Sequence, residues 1–412
     1  MLQHIIWGIL FFTLWLTIIW ISFLYADEPK KSKLKHYPKI SVAIPAYNEE
    51  KTIKKTVNSL INSDYPRDKI ELIIVNDGSK DNTAKVAKEI IKKNPKFNII
   101  LINKANGGKS SAVNAALDKA TGEFFSVVDA DSRVAPDGIK QILPYFYDEE
   151  VGAVISRVRV DVPKKTLERI QFFEYIMSNM IRKLMALLGT LHITPGVLST
   201  YKTKVLRKVG GFTKDRNNLT EDMEIAMRLK YHGYKIEMQT KSLTHTLVPK
   251  DLKSLWRQRI RWARGYIYNM WLYKSMIFSR KHGVFGLFQM PINVLVVAVL
   301  MINISIIAYS FLDRIIEFTI RSATIKGYFW TILEFPTLKE IFLAQNLRIM
   351  IPIILATVLG FYLILHAHKR FNEKITKNII GAVGYFLFIP YFTTANWISS
   401  IFQEIFKTKR KW

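Results

Sequence analysis

Cysteine does not occur in this chain, so disulfides, cysteine-bound zinc and thiol catalysis are excluded. Acidic residues are few beside basic ones: 33 Asp and Glu stand against 60 Lys and Arg, a formal net charge of +27. That balance calls for an anionic partner, whether nucleic acid, an anionic membrane surface or a phosphorylated substrate. A Walker-type phosphate loop is also missing, because the spacing around Gly107-Gly108-Lys109 is wrong for one. What the chain does have is apolar residues, 49% of its 412 positions, gathered into several long runs. The length allows two domains, or one domain with a membrane part. Bilayer-length runs argue against a nucleic-acid partner, so a membrane combined with a phosphorylated ligand accounts better for both charge and hydropathy.

The first run, residues 5–24, has the roughly 20 residues a helix needs to cross a bilayer. No basic residue precedes it and no small-residue cleavage site follows, so residues 1–27 read as an uncleaved anchor. Lys30, Lys31, Lys33 and Lys35 come next; the positive-inside rule puts this flank in the cytoplasm and the N-terminus outside. Three more runs follow, at residues 284–307, 349–366 and 379–401, within a C-terminal membrane region spanning 284–412. Strict alternation then leaves residues 368–377 inside, as their Lys and Arg require, but puts residues 407–411 outside against the rule. Either residues 328–344 re-enter the membrane, the last run is a hairpin, or the rule fails here.

Between these runs, residues 38–250 alternate strand with helix. Apolar strands are expected at 40–45, 70–75, 99–102 and 124–128. Asn48 is placed to cap a first helix, and Asn106-Gly107-Gly108-Lys109 to open another. Repeated strand–helix units imply a mainly parallel sheet covered on both faces, in which ligands gather beyond the carboxyl ends of the strands. Tyr47, Asp77 and the pair Asp129 and Asp131 all fall just past strand ends. Residues 251–283 then form basic, Trp-rich amphipathic helix, as expected of a helix lying in the membrane interface.

Each motif has a chemical and an ordinary reading. Asp129-Ala130-Asp131 offers two carboxylates to a divalent ion on a diphosphate, or is a polar turn. Pro45-Ala46-Tyr47-Asn48-Glu49 offers free N–H groups to an anion and a ring face to a base, or is a plain helix start. Asp77 can accept the N3–H of uracil, or holds a turn. Lys109 can reach a nucleotide as a point charge, or is solvated. Thr220-Glu221-Asp222 is a capped helix start with acids favouring the dipole, or supplies Asp222 as general base for a sugar hydroxyl. Gln258-Arg259-Ile260-Arg261-Trp262 can hold a leaving diphosphate and stack on a sugar, or is ordinary interfacial Arg and Trp. His245 is a candidate extra metal ligand, or structural.

Taken together and in this order, these five motifs resemble the membrane-embedded processive glycosyltransferases of family 2, such as the cellulose, chitin, hyaluronan and poly-N-acetylglucosamine synthases. Ile170-Gln171-Phe172-Phe173-Glu174-Tyr175 and the stretch from Leu255 to Gly265 look most like the poly-β-1,6-N-acetylglucosamine synthases. The resemblance implies a GT-A-type α/β catalytic domain carried by transmembrane and interfacial helices. It implies an inverting, Mg²⁺- or Mn²⁺-dependent polymerisation of a UDP-sugar, with UDP-N-acetylglucosamine the first choice of donor, and secretion of the polymer. Pro45, Tyr47, Glu49, Asp77 and Lys109 would bind the nucleotide, Asp129 and Asp131 the metal and diphosphate, and Asp222 would be the base. Gln258, Arg259, Arg261 and Trp262 would hold the diphosphate and the acceptor. The partners would be the donor, a growing polysaccharide or a lipid acceptor, and the bilayer, with room for a small accessory subunit or a homo-oligomer. Thr194-Pro195-Gly196 stands at a small-residue acceptor loop, and its Pro departs from the pattern. A non-processive transferase acting on a lipid and, more remotely, a basic membrane scaffold or nucleic-acid-binding protein are the rival readings.

Overall fold

The computed structural model of the chain describes residues 2–26, 34–331 and 347–408. Lys30, Lys31, Lys33, most of the 328–344 segment and residues 409–411 lie outside the described residues. In chain order, helix α1 (Leu2–Ser22) precedes β1 (Ile40–Ala46), α2 (Ile53–Ile61), β2 (Ile70–Asp77), α3 (Thr83–Lys93), β3 (Asn98–Lys104), α4 (Lys109–Lys119) and β4 (Phe124–Val128). Then come β5 (Arg133–Val134), α5 (Gly138–Ile142), β6 (Val151–Val160), α6 (Thr166–Leu187), β7 (Val197–Lys202), α7 (Thr203–Lys208), α8 (Glu221–Tyr231) and β8 (Lys235–Thr246). The chain continues through α9 (Leu252–Leu272), α10 (Met290–Thr324), α11 (Tyr328–Thr331), α12 (Leu347–Arg370) and α13 (Ile379–Ile405).

Contacts divide the chain into two compact units, residues 1–25 with 289–366 and residues 26–288 with 367–412. The first unit is helical. Four helical stretches of the chain are long and apolar enough to cross a membrane: His4–Tyr25, Phe285–Thr324, Met350–Arg370 and Ile375–Ile405.

The second unit is built on one eight-stranded sheet of order β3-β2-β1-β4-β7-β6-β8-β5. Strands β3, β2, β1 and β4 are parallel, as the strand–helix alternation predicts. The remainder is mixed: β7 runs antiparallel to both β4 and β6, while β6 and β8 are parallel. An apolar run reports burial but carries no direction, so this reversal was hidden in the sequence. Alternate side chains of each strand enter two cores. Ile40, Val42, Ile44, Leu72 and Ile74 pack on one face; Ala43, Ile73, Val75, Phe125 and Val127 pack on the other. Both faces are therefore dry, and the strands present only their carboxyl ends to a ligand.

Two expected caps are not made. Asn48 sits at φ 58, its side chain accepts from the Lys80 N–H at 2.8 Å, and Thr52 takes the N-cap position of α2. Asn48 thus ties the first strand's loop to the second strand's loop. Thr220 does occupy the N-cap of α8, but its hydroxyl accepts from Asn269 of α9 at 3.0 Å. Local capping lost to tertiary hydrogen bonds in both places.

Helix α13 is held at both ends by one unit. It belongs to the sheet-containing unit and lies along α6 and α9: Tyr385 packs on Phe173, Phe392 on Trp256 and Trp397 on Tyr266. Before the helix, Glu373 accepts from Arg159 of β6 at 2.7 Å. At its far end, Glu404 accepts from Arg264 of α9 at 2.5 Å. Both ends of this helix are tied to the sheet-containing unit, and Lys407, just past it, lines the same cavity as Asp77 and Asp129.

Candidate active site

At the carboxyl edge of the sheet lies a cavity of about 1090 Å³. Pro45 in β1 and Tyr47 and Glu49 after it, Asp77 at the end of β2, Lys109 at the start of α4, and Asp129 and Asp131 after β4 all line it, with Arg261 of α9. A second cavity of about 330 Å³ is lined by Asp222, Gln258 and Trp262. The two cavities share Lys109, Asp129, Asp131 and Arg261. Three strand ends and three helices thus bring eleven of the twelve expected site residues to two adjoining spaces.

The twelfth, Arg259, lines neither cavity. Its guanidinium donates to Glu174 of α6 at 2.7 Å and lies 4.2 Å from the centre of the Trp262 ring. It holds the Trp262 ring between a cation and the cavity. On a helix, Arg259 and Arg261 are about 200° apart around the axis, so only one of the two can face the ligand. His245 is also elsewhere: it pairs in register with Arg133 of β5 and Arg159 of β6. Burial and these arginines depress its pKa.

Asp77 is 3% exposed and already heavily engaged. It accepts from Lys104 Nζ at 2.6 Å, Gly107 N–H at 3.0 Å and Gly108 N–H at 2.8 Å. The carboxylate therefore shapes the turn into α4, where Gly108 takes φ 83, a conformation costly for a side chain with a Cβ. Lys109 follows at once, bridging Asp129 at 2.5 Å and Glu221 at 3.1 Å. Burial opposes its charge, but these carboxylates more than compensate and hold it protonated.

The carboxylates are under electrostatic stress. Burial, then the charges of Asp129 and Glu49, raise the pKa of Asp131. Burial, then the charge of Glu221, pushes Asp222 up to about 6. Asp222 accepts from the Met223 N–H at 2.8 Å through its side chain, and its carbonyl accepts from the Thr194 hydroxyl at 2.7 Å. Both carboxyls are half-buried, and perturbed carboxyls of this kind cluster at functional sites.

Several contributors were missed in the sequence. Arg216 and Asn217 line the larger cavity from the loop before α8, and Glu404, Lys407 and Thr408 from the end of α13. Tyr175, Arg182 and Tyr266 line the smaller one. A signal for Arg264 was available, since it continues the basic face of α9. Its guanidinium is 4% exposed and is held by Glu404, by Gln403 at 3.1 Å and by the Thr408 carbonyl at 2.8 Å. Breaking such a pair leaves a buried charge uncompensated, so Arg264→Met is expected to cost about 3 kcal/mol, read as a lower Tm of the detergent-solubilised protein. Glu404→Gln, which keeps a hydrogen-bond acceptor, should cost less.

Comparison with known proteins accords with this arrangement. Residues 38–265 match the family described as "Glycosyltransferase like family 2". The poly-beta-1,6-N-acetyl-D-glucosamine synthase of Staphylococcus epidermidis is 28% identical over 413 residues, covering 96% of this chain and 92% of that protein. The probable glycosyltransferase YdaM of Bacillus subtilis is 32% identical over 300 residues, 66% of this chain and 70% of that protein. The mannosyltransferase PcManGT of Pyrobaculum calidifontis, solved with GDP-Man and Mn²⁺, aligns with a TM-score of 0.58 at 22% identity, covering 88% of this chain and 99% of that one; that likeness bears on the fold. With more than half its length matched by the family and its sheet folded in the GT-A manner, this chain belongs to glycosyltransferase family 2.

Proposed function

We propose that the protein is a membrane-bound polysaccharide synthase that polymerises a UDP-activated sugar, UDP-N-acetylglucosamine first among the candidates, by inverting and processive transfer. The observation that carries this reading is the pair of adjoining cavities with shared walls. The larger suits a nucleotide diphosphate, the smaller an acceptor, and Asp222 stands at the acceptor's side. The relative from Staphylococcus epidermidis, aligned over nearly its whole length, supports the polymer and the sugar.

In this reading Tyr47 gives the base a ring face. Asp77, with three donors already placed, keeps one lone-pair position for a uracil N–H. Lys109 and Arg261 neutralise the diphosphate as charge builds on it. Asp222 takes the proton of the acceptor hydroxyl while that oxygen bonds to the anomeric carbon. The bond from the anomeric carbon to the diphosphate oxygen breaks, and its electron pair leaves on UDP.

Asp129 and Asp131 would hold a divalent cation, Mg²⁺ or Mn²⁺. The donor set fits: hard carboxylate oxygens suit these ions, which take one or two carboxylates and complete the shell with water and phosphate. Among the described residues no three His, Asp or Glu side chains form a ready cage, which matches an ion that arrives with its nucleotide. When bound it would supply Lewis-acid stabilisation of the leaving diphosphate. Asp131→Ala is expected to weaken UDP binding about tenfold or more in the presence of Mn²⁺ and far less in EDTA, measured by titration calorimetry.

The apolar helices would anchor the catalytic unit at the cytoplasmic face. Helix α13, bound to that unit at both ends, would lie in the membrane interface with α9. The function is tested by incubating the purified full chain with a panel of radiolabelled sugar nucleotides and measuring UDP release and product size. A high-mass ladder from UDP-N-acetylglucosamine is expected. A single lipid-linked product would replace the polymer reading with the lipid-acceptor one, and salt-sensitive DNA binding without nucleotide turnover would remove both.

A further inference from the structure

One wall of the smaller cavity plays no part in the chemistry above. Helix α6 contributes Tyr175 and Arg182 to it, and α9 contributes Tyr266, next to Asp222 and Trp262. Tyr175 and Arg182 are seven residues apart, two helical turns, so they share one face of α6. The charged and ionisable groups around Arg182 are Tyr175, Asp222, Arg259 and Glu174, and Glu174 is already bonded to Arg259. Among the described residues no hydrogen bond or ion pair engages the Arg182 guanidinium. A guanidinium has five N–H donors and no acceptor, and this half-buried one lines the cavity. An occupant that brings oxygen acceptors would take those donors.

The charges of this cavity indicate what kind of occupant. Asp129, Asp131, Glu221 and Asp222 stand against Lys109, Arg182 and Arg261; with Asp129 and Asp131 given to the cation, and Lys109 and Arg261 to the diphosphate, Glu221 and Asp222 are left against Arg182. No surplus of positive charge awaits an anionic acceptor group. Tyr175, Trp262 and Tyr266 instead offer ring faces and two phenolic hydroxyls, the mixture of apolar surface and directed polar groups that a neutral ring ligand needs.

We propose that Tyr175, Arg182 and Tyr266 form an acceptor subsite for an uncharged sugar ring, with Arg182 donating to the acceptor's oxygens and so presenting the attacking hydroxyl to Asp222. The proposal rests on the donor and acceptor assignment made above. It makes Arg182 an acceptor-binding residue with no direct part in holding the nucleotide.

The test uses the full chain in detergent with Mn²⁺, UDP-N-acetylglucosamine as donor, and two acceptors: a neutral N-acetylglucosamine pentasaccharide and a polyprenyl phosphate. For Arg182→Met the Kd for UDP and the Tm should stay at their wild-type values. The KM for the pentasaccharide should rise about 10- to 100-fold, the loss of one charged hydrogen-bonding group, with Arg182→Lys falling between. Tyr175→Phe should raise the same KM by a smaller factor. An unchanged pentasaccharide KM in folded Arg182→Met protein overturns the subsite. So does a loss of UDP affinity in step with the KM, which would mark a donor-site or structural role. Selective loss of transfer to the polyprenyl phosphate also overturns it, in favour of an anionic acceptor. If Arg182→Met does not fold, Arg182→Lys is judged by the same criteria. In the first and third of these results wild-type UDP binding stands and only the subsite fails; wild-type protein that neither binds nor releases UDP removes the donor reading and the subsite together.

Discussion

Asp222→Asn is expected to lower sugar transfer by about 10²- to 10⁴-fold, the range a positioned general base supplies, while the Kd for UDP stays at its wild-type value. Asparagine keeps the oxygen that accepts from the Met223 N–H but cannot take a proton from an attacking hydroxyl. The variant should also melt no lower than wild type. The folded-state pKa of Asp222, about 6, lies above its ordinary value, so the fold favours the protonated carboxyl. That preference contributes stability below the ordinary value and is lost as pH rises through the folded one; at neutral pH the ionised group costs stability, and a neutral amide removes that cost. Activity runs the other way. The base must be ionised, so turnover should rise with pH along a limb centred near pH 6, in a profile of kcat measured with saturating donor. Glu221→Gln should shift that limb to lower pH, because the charge of Glu221 helps to hold the Asp222 pKa up. A limb that does not move, or an Asp222→Asn enzyme with normal turnover, would take Asp222 out of the base role.

Gly196→Ala should be nearly as damaging although it adds one methyl group and no charge. A Cβ at this position would lie 2.5 Å from Lys109 Nζ and 2.6 and 2.7 Å from the two carboxylate oxygens of Asp129. The carbonyl of Gly196 also accepts from the Asp129 N–H at 2.7 Å, so the glycine cannot move away without dragging the loop that carries the aspartate. The Lys109 ammonium and the Asp129 carboxylate must shift instead, which pulls at their ion pair. Donor binding and transfer should then both fall, with kcat/KM for the donor down by about 10²-fold, as expected when a close charge pair at a binding site is broken. Parallel measurements of UDP affinity and turnover would check it; wild-type values for both would mean the loop adapts and Gly196 is only a turn residue.

The reason Gly196 reaches Asp129 shows where reading the chain by itself ran out. Strand β4 and its acid pair were legible, because Phe124 to Val128 is an apolar run ended by two aspartates. That β7 lies beside β4 in the opposite direction, with Gly196 at its start, was not. Hydropathy measures how buried a strand is, and both directions bury it equally. The acid Glu221 seemed one of several dipole-favouring residues at a helix start, and only the approach of α4 gave it Lys109 as a partner. Arg259 and Arg261 look alike in the motif; which one faces the cavity depends on how α9 is rotated against α6, set by the Arg259–Glu174 pair.

Composition and pattern by themselves determined the alternating strands and helices of the catalytic unit, the four apolar helices, and the acids and aromatics that gather at the strands' carboxyl ends. These follow from periodicities of two and 3.6 and from the length of apolar runs, which are local properties of a chain. Tertiary structure alone decided the reversed strand beside β4, the tie between Arg264 and Glu404 that brings Lys407 to the larger cavity, and the wall that α6 gives the smaller one. Each is a meeting of residues far apart in sequence, chosen by the geometry of packing and by the pairing of buried charge, and no local pattern records either.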